Sequence, residues 1–250
     1  MVNFLPRDIC LALSYLETSF DFAHHYLDQA MQSLTPQERA ALSLNTVLKW
    51  INTKYSDSLL KTIPIQADTI PADSLIFLMK KVDLRNIVLA GLTVVEGMGL
   101  AREELAKVEK ENLKINQLEF PGRHGKIAIG GFGDNVYSDD YAIIIDLCGN
   151  DVYRGRFAAG FGEIPFSVVI DLGGNDFYSS EKVFNAGAGV MGVGILWDLE
   201  GNDIYQNSHI SQGAGIFGLG AIIDESGDNI YQSGFFSQGA GCSPLCAPLR

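Results

Sequence analysis

Acidic and amide side chains recur in one short turn in the second half of the sequence. Each copy reads as an apolar residue, Asp, two variable residues, Gly, a pair drawn from Asn and Asp, one further residue and Tyr. Their oxygens are hard ligands, and Ca²⁺ takes six to eight of them. The turn therefore predicts a metal site with calcium as the candidate cofactor. The candidate ligands are Asp146, Asn150, Asp151, Asp171, Asn175, Asp176, Asp198, Asn202, Asp203, Asp224 and Asp228.

The spacing of these turns is regular. The leading Asp recurs at positions 146, 171, 198 and 224, in steps of 25, 27 and 26 residues, and the Tyr repeats the same steps. A Gly-rich signature follows each turn, and we align Ala159-Gly-Phe-Gly162 with Ala186-Gly-Ala-Gly189. A shortened copy precedes them at 130–137. If successive units stack, the acids form two columns, which are Asp146, Asp171, Asp198, Asp224 and Asp151, Asp176, Asp203, Asp228.

A unit of this length predicts one coil of a right-handed parallel β-helix, or β-solenoid. At about 3.3 Å per residue it holds three short strands and their corners, and parallel crossovers are right-handed by default. Helical repeats are excluded because Gly at this density costs about 1 kcal/mol per residue in a helix. The stacking predicts an apolar ladder of Ile144, Val169, Leu196 and Ile222 inside the coil. The neighbouring apolar positions predict a second face that the helices or a second subunit cover.

The turn resembles the calcium-binding nonapeptide of RTX proteins, most closely at 130–137 and 172–178. The whole unit also resembles bacterial Gly-Asn-Asp-x-Tyr repeat proteins, which have no assigned activity. The RTX repeat has a period of nine residues, so that resemblance covers the turn and not the coil. It implies calcium ligands at Asp151, Asp176 and Asp203, with Asn150, Asn175 and Asn202 beside them.

A purely structural interpretation of the same turns stays open. Asn and Asp are common turn residues because they hydrogen-bond nearby backbone and tolerate left-handed conformations. Exposed carboxylates are also screened by water and salt.

The first part of the chain predicts helices. Apolar residues recur at helical spacing over 4–31, and Thr35-Pro36-Gln37-Glu38 is a capping box that opens a helix running to Ile51. We expect four or five helices in a bundle over 1–116 and the β-helix over 117–250, with about four coils and a partial first turn. The fold class is therefore α+β.

Charge and hydropathy exclude some classes of protein. The net charge is −12, and 117–250 holds 6 basic and 16 acidic residues. Nucleic acids and anionic membranes need a basic partner. No segment reaches the roughly 18 apolar residues of a membrane span, and the N-terminus is no signal peptide. As written, the sequence predicts a soluble cytoplasmic protein; if Met1 is an internal start, an export signal is missing and the protein is secreted or lies on the surface.

Three functional hypotheses remain. The first is a non-catalytic β-solenoid with a structural or interaction role, stabilised by calcium. The second is a carbohydrate-active enzyme or glycan-binding protein, for which the residues that occur in one coil only, Arg154, Arg156, Lys182 and His209, are the candidates. The third is a fragment of a larger protein, since the repeat stops after Gly241 without a polar cap. That open end, or the apolar face, predicts a protein partner or a second copy. Because its acids repeat in every coil, as a scaffold does, the repeat favours a protein that is not an enzyme.

Overall fold

The computed structural model describes residues 5–42 and 72–242. Its N-terminal part is helical. Helix α1 spans Arg7–Ala30, α2 Pro36–Ala41, α3 Ala72–Met79 and α4 Leu84–Leu105, and a 3₁₀ turn follows at Lys110–Asn112.

The predicted capping box opens α2. The backbone N–H of Thr35 donates to Glu38 Oε2 at 2.8 Å, and the N–H of Glu38 donates to Thr35 Oγ1 at 3.2 Å. These two bonds pair N–H groups that a helix start leaves without partners. The predicted continuation of this helix to Ile51 lies outside the described residues.

The chain after the helices is a parallel β-solenoid, as predicted. The described part of the chain holds fifteen strands in three sheets, in the orders β1-β2-β4-β7-β10-β13, β14-β11-β8-β5-β3 and β15-β12-β9-β6. Among the strands of the described residues, β1 and β2 alone pair antiparallel. Residues 143–232 make about three turns of about 26 residues. The strands are β1 Gln117–Gly122, β2 Gly125–Gly130, β3 Val136–Tyr137, β4 Ile143–Asp146, β5 Val152–Tyr153, β6 Ala159–Gly160, β7 Phe166–Asp171, β8 Phe177–Ser180, β9 Ala188–Val190, β10 Val193–Asp198, β11 Ile204–Asn207, β12 Gly215–Ile216, β13 Leu219–Asp224, β14 Ile230–Gln232 and β15 Gly241–Cys242.

The register of the first sheet confirms the predicted apolar ladder. Ile144 pairs with Val169, Val169 with Leu196 and Leu196 with Ile222. Since successive side chains of a strand point to opposite faces, this ladder fills the coil interior and its neighbours in the strand point outward. The outward set packs in a core shared with the helices.

Helices α1 and α4 cover that outward face. The Phe20 ring of α1 lies 5.6 Å from the Phe166 ring of β7. The Arg102 guanidinium of α4 lies 5.2 Å from the Trp197 ring, and its Nη2 pairs with Glu225 Oε2 at 2.9 Å. The helices, one of the two predicted ways to cover this apolar face, therefore pack against it in the structure.

Helix α4 is the one described helix that is long and apolar enough to cross a membrane. Its apolar residues, most of them in the segment 87–95, outweigh polar ones such as Asn86 and Glu96. Length and composition are weak support for a span, since the core helix of a soluble protein passes the same test. One face of α4, including Ile87, Val94 and Met98, is buried. The predicted lack of a membrane span stays a prediction.

Candidate metal centre inside the solenoid

The leading Asp of each turn is the last residue of a strand in the first sheet. Asp146, Asp171 and Asp198 are fully buried and Asp224 is partly buried, and all four stand in register. Each lies two residues after a member of the interior ladder, so it points to the same side as that ladder. The first predicted column is therefore confirmed as a stack, but it lies inside the coil.

A ladder of tyrosines lines the opposite wall of this interior. The rings of Tyr137, Tyr153, Tyr178, Tyr205 and Tyr231 stack with centroids 4.5–4.8 Å apart. Their hydroxyls donate to the leading Asp column. The Tyr153 hydroxyl lies 2.6 Å from Asp171 Oδ2, and Tyr137 donates to Asp146 Oδ2.

One tyrosine hydroxyl lies between two carboxylates. Tyr178 Oη is 2.6 Å from Asp198 Oδ2 and 3.0 Å from Asp171 Oδ2. Because a hydroxyl carries one proton, it donates to one of these carboxylates at a time. The tyrosines alone therefore leave the Asp column short of donors.

The second Asp of the turn forms an inner column. Asp151, Asp176 and Asp203 are at most 2 % exposed. One oxygen of each accepts a backbone N–H from the preceding coil: Asp151 N–H donates to Asp176 Oδ1 at 2.6 Å, and Asp176 N–H to Asp203 Oδ1 at 2.8 Å. The second oxygen of each has no hydrogen-bond partner among the described residues.

The fourth member of the inner column is Asn229, and the prediction of Asp228 at this place is wrong. The backbone N–H of Asp203 donates to Asn229 Oδ1 at 2.7 Å, which continues the column. The pair is inverted in this copy, and the pairing of Tyr205 with Tyr231 fixes the register. Asp228 lies one position earlier and is exposed.

The first residue of the Asn/Asp pair forms an outer column that faces solvent. Asn175 N–H donates to Asn150 Oδ1 at 3.0 Å, Asn202 N–H to Asn175 Oδ1 at 2.9 Å, and Asp228 N–H to Asn202 Oδ1 at 2.8 Å. These side chains hold successive turns together. The structure thus does not bring them into the buried acidic groups.

Two groups of three carboxylates converge inside the coil. Asp146, Asp151 and Asp171 form one group and Asp171, Asp176 and Asp198 the other, with one oxygen of each residue within 4.8 Å of the others. Asp171 belongs to both. Asp151 Oδ2, Asp176 Oδ2 and Asp198 Oδ1 are buried there without a hydrogen-bond partner among the described residues.

Burial opposes the charge of these carboxyls. At each of the six carboxyls in the two Asp columns that have a raised pKa, burial is the largest cause, because a buried charge loses its hydration. The charge of Asp171 raises the pKa of Asp146, Asp176 and Asp198 further. The pKa of Asp203 rises to about 6. The six carboxyls with raised pKa values are Asp146, Asp151, Asp171, Asp176, Asp198 and Asp203.

The residues that occur in one coil only lie away from this centre. Arg156 Nη1 and Lys182 Nζ both pair with Asp140, at 2.9 and 2.6 Å. His209 Nδ1 accepts the backbone N–H of Phe235 at 2.9 Å. The tyrosine ladder and Asn229 were missed as members of the site, although the equal steps of Tyr and Asp signalled that they stack together.

Comparisons with known proteins supply no relative. No protein family, curated protein or solved structure matches this chain. The resemblances of the turn and of the repeat unit stay predictions from the residues, and the function is argued from the geometry of the centre.

Proposed function

We propose that this protein is a non-catalytic β-solenoid with a structural role, in which Ca²⁺ bound inside the coil neutralises the two Asp columns. One observation carries the proposal. Asp151, Asp176 and Asp198 belong to the two groups that converge, and each has one buried carboxylate oxygen that lacks a hydrogen-bond partner among the described residues. A buried carboxylate without a partner is costly, and a cation removes that cost.

The spacing of the oxygens fits Ca²⁺. Oxygens bound to one calcium ion at 2.3–2.6 Å lie at most about 5 Å apart, and three oxygens in each group, one from each carboxylate, lie within 4.8 Å of one another. Asp171 would bridge the two ions. Mg²⁺ is a poorer fit because it demands near-ideal octahedral geometry and keeps several waters.

Protons are the competing neutraliser. A proton bridges two carboxylates, whereas each group holds three. A divalent cation binds all three carboxylates of a group at once. It therefore requires no protonated carboxyl at neutral pH. The convergence of three carboxylates, repeated in the next coil, therefore supports a cation.

Thermal unfolding tests the proposal. At a free calcium concentration of about 100 times Kd, one site adds about 2.7 kcal/mol, or roughly 5–10 °C in Tm for a chain of this length. We expect that rise in protein refolded in calcium relative to protein refolded in chelator, and a smaller rise in protein refolded in magnesium. Asp228→Asn, which removes an exposed carboxylate, should keep the full calcium effect. Equal Tm values for protein refolded in calcium and protein refolded in chelator would contradict the proposal.

Glycan binding is the second candidate function. A pocket of about 240 Å³ is lined by Asp140, Tyr141, Arg156, Phe161 and Glu163, among others. It places the Arg156 guanidinium 4.6 Å from the Phe161 ring. An aromatic ring can stack on a sugar ring, and the neighbouring guanidinium and carboxylate groups can hydrogen-bond to its hydroxyls. Glycan-array binding that Arg156→Ala abolishes would support it, and an array without any binding would reject it.

A further inference from the structure

The carboxylates of both groups are closed off from solvent. Asp146, Asp171 and Asp198 are 0 % exposed, Asp151 is 1 % and Asp176 2 % exposed. A calcium sensor exchanges its ion while folded, which requires at least one ligand to be reached by water. Here water reaches none of the five carboxylates in the folded protein.

The coil before the centre closes its N-terminal end. Gly130 takes the place of the leading Asp there, and Asn135 the place of the inner Asp. A Cβ at Gly130 would overlap Asp146 Oδ2 and the Tyr137 hydroxyl, so this space is already filled. No carboxylate of this coil can extend the centre.

The last coil closes the other end. Asn229 donates its side-chain amide to Asp224 Oδ1 and Oδ2, both at 2.8 Å. The Tyr231 ring covers the Tyr205 ring at 4.5 Å. Asp224 is thereby paired without a cation, and its coil lies between the centre and solvent.

We infer that the two groups form one sealed binuclear site, joined through Asp171, whose two cations enter as the coils close and stay bound until coils open. This inference rests on the proposed function, because it concerns the same site. It makes calcium a permanent part of the fold and not a signal that the folded protein senses. Two observations support it. The five carboxylates are closed off from solvent, and Asp171 belongs to both groups.

Calcium retention tests the inference. The full chain is refolded from denaturant in calcium, separated from free ion in the presence of a chelator, and its bound calcium is counted. We expect two calcium ions per chain, one for each group. The release of these ions to a fluorescent chelator should match in rate the slowest backbone amide exchange of the same sample, because both need coil opening.

A matched pair of variants tests the route of release. Tyr231→Ala loosens the last coil and should speed release by about tenfold or more, since opening then costs less. Ile230→Ala, at the neighbouring position of the same strand, where the residue is 51 % exposed, should leave the rate within about twofold of the original. If Tyr231→Ala does not fold, the rate comparison on the unmodified chain decides alone.

The possible failures are distinguishable. Full release within seconds from a protein that keeps its circular dichroism would overturn the sealed site and leave structural calcium in place. One retained ion per chain would overturn the binuclear site. Refolded protein that binds no calcium under any of these conditions would reject the proposed function, and this inference with it.

Discussion

Asn229 donates its side-chain amide to both carboxylate oxygens of Asp224, at 2.8 Å each. The same two positions hold Asp171 and Asp176 two coils earlier, where Asp176 Oδ2 has no hydrogen-bond partner among the described residues. In the last coil, one neutral side-chain amide thus supplies hydrogen-bond donors to both oxygens of the leading Asp. It supplies a natural template for the variants that test the centre.

Asp176→Asn should stabilise the calcium-free protein. The new Oδ1 keeps the bond from the Asp151 backbone N–H, and the new amide donates to Asp171 as the Asn229 amide does to Asp224. A hydrogen bond to a charged group contributes about 1.5–3 kcal/mol. We expect a gain of that size in the free energy of unfolding with chelator, measured by urea denaturation, and a smaller gain from added calcium than in the unmodified chain.

Asp228→Asn is the matched control for that variant. It makes the same chemical change on an exposed carboxylate in the outer column, and exposed charges contribute about 0–1 kcal/mol. Its unfolding curves with and without calcium should overlay those of the original chain. A destabilised Asp176→Asn protein in chelator would show that this carboxylate is not an unneutralised charge.

Stability without calcium should fall as the pH rises. Burial raises the pKa of Asp203 from 3.8 to about 6, so the unfolded chain releases this proton at lower pH than the folded one. Fewer protons bound in the unfolded state means that the free energy of unfolding decreases with pH, by at most about 1.4 kcal/mol per unit for each group. For Asp203 the loss runs from about pH 4 to about pH 6.

The other five buried carboxyls, whose pKa values are also raised, extend this loss to higher pH. Calcium competes with those protons, so its stabilising effect should be larger at about pH 8 than at about pH 5. Urea denaturation at a series of pH values, with calcium and with chelator, measures both curves. A calcium-free stability that rises over this range would contradict the buried placement of the columns.

Tyr178→Phe should destabilise the solenoid through its hydroxyl. The ring stays in the stack, but Asp171 and Asp198 lose the donor that lies 3.0 and 2.6 Å away. Leaving a buried acceptor unsatisfied costs about 1–3 kcal/mol. Tyr231→Phe removes the equivalent hydroxyl from a ring that is 40 % exposed, where water replaces it, and should cost less. If urea denaturation gave the two variants equal losses in the free energy of unfolding, water would have to reach the Asp carboxylates inside the coil.

The repeat made most of the fold predictable. A fixed step between Asp residues and between Tyr residues aligns the coils, and the interior ladder of Ile144, Val169 and Leu196 follows from it. The alternation of a strand also implies that Asp146, two residues after Ile144, points inward. The sequence analysis considered these carboxylates as exposed groups screened by water and salt, whereas the structure buries Asp146, Asp171 and Asp198.

The Gly-rich corner of the first coil shows where alignment failed. Gly160 pairs with Gly189, whereas the sequence alignment placed Gly162 there. The first coil departs from the others after this strand, since Phe161 and Ile164 pair with each other across a tight turn. A motif of Ala and Gly fits two registers equally well, and only the strand pairing separates them.

Gly174→Ala should disrupt the stacking of the coils. A Cβ at Gly174 would overlap the carbonyl oxygen of Gly149 in the preceding turn, and Gly201 and Gly227 stand in the same relation to the turns before them. The Gly149 carbonyl is backbone and cannot rotate away from the new methyl group as a side chain could. The two turns must therefore move apart. We expect a loss of about 3 kcal/mol in the free energy of unfolding, at the upper end for overpacking, measured by urea denaturation.

Gly99→Ala is the control for the effect of the methyl group itself. Gly99 lies within α4, and an added Cβ would meet no heavy atom within 4 Å beyond its chain neighbours and the adjacent helix backbone. Ala is favoured over Gly in a helix by about 0.5–1 kcal/mol. This variant should therefore be slightly more stable than the original chain. If Gly174→Ala were tolerated equally well, adjacent turns would not meet at these glycines. The register that brings Asp146, Asp151 and Asp171 together would then be wrong, because the same turns position them.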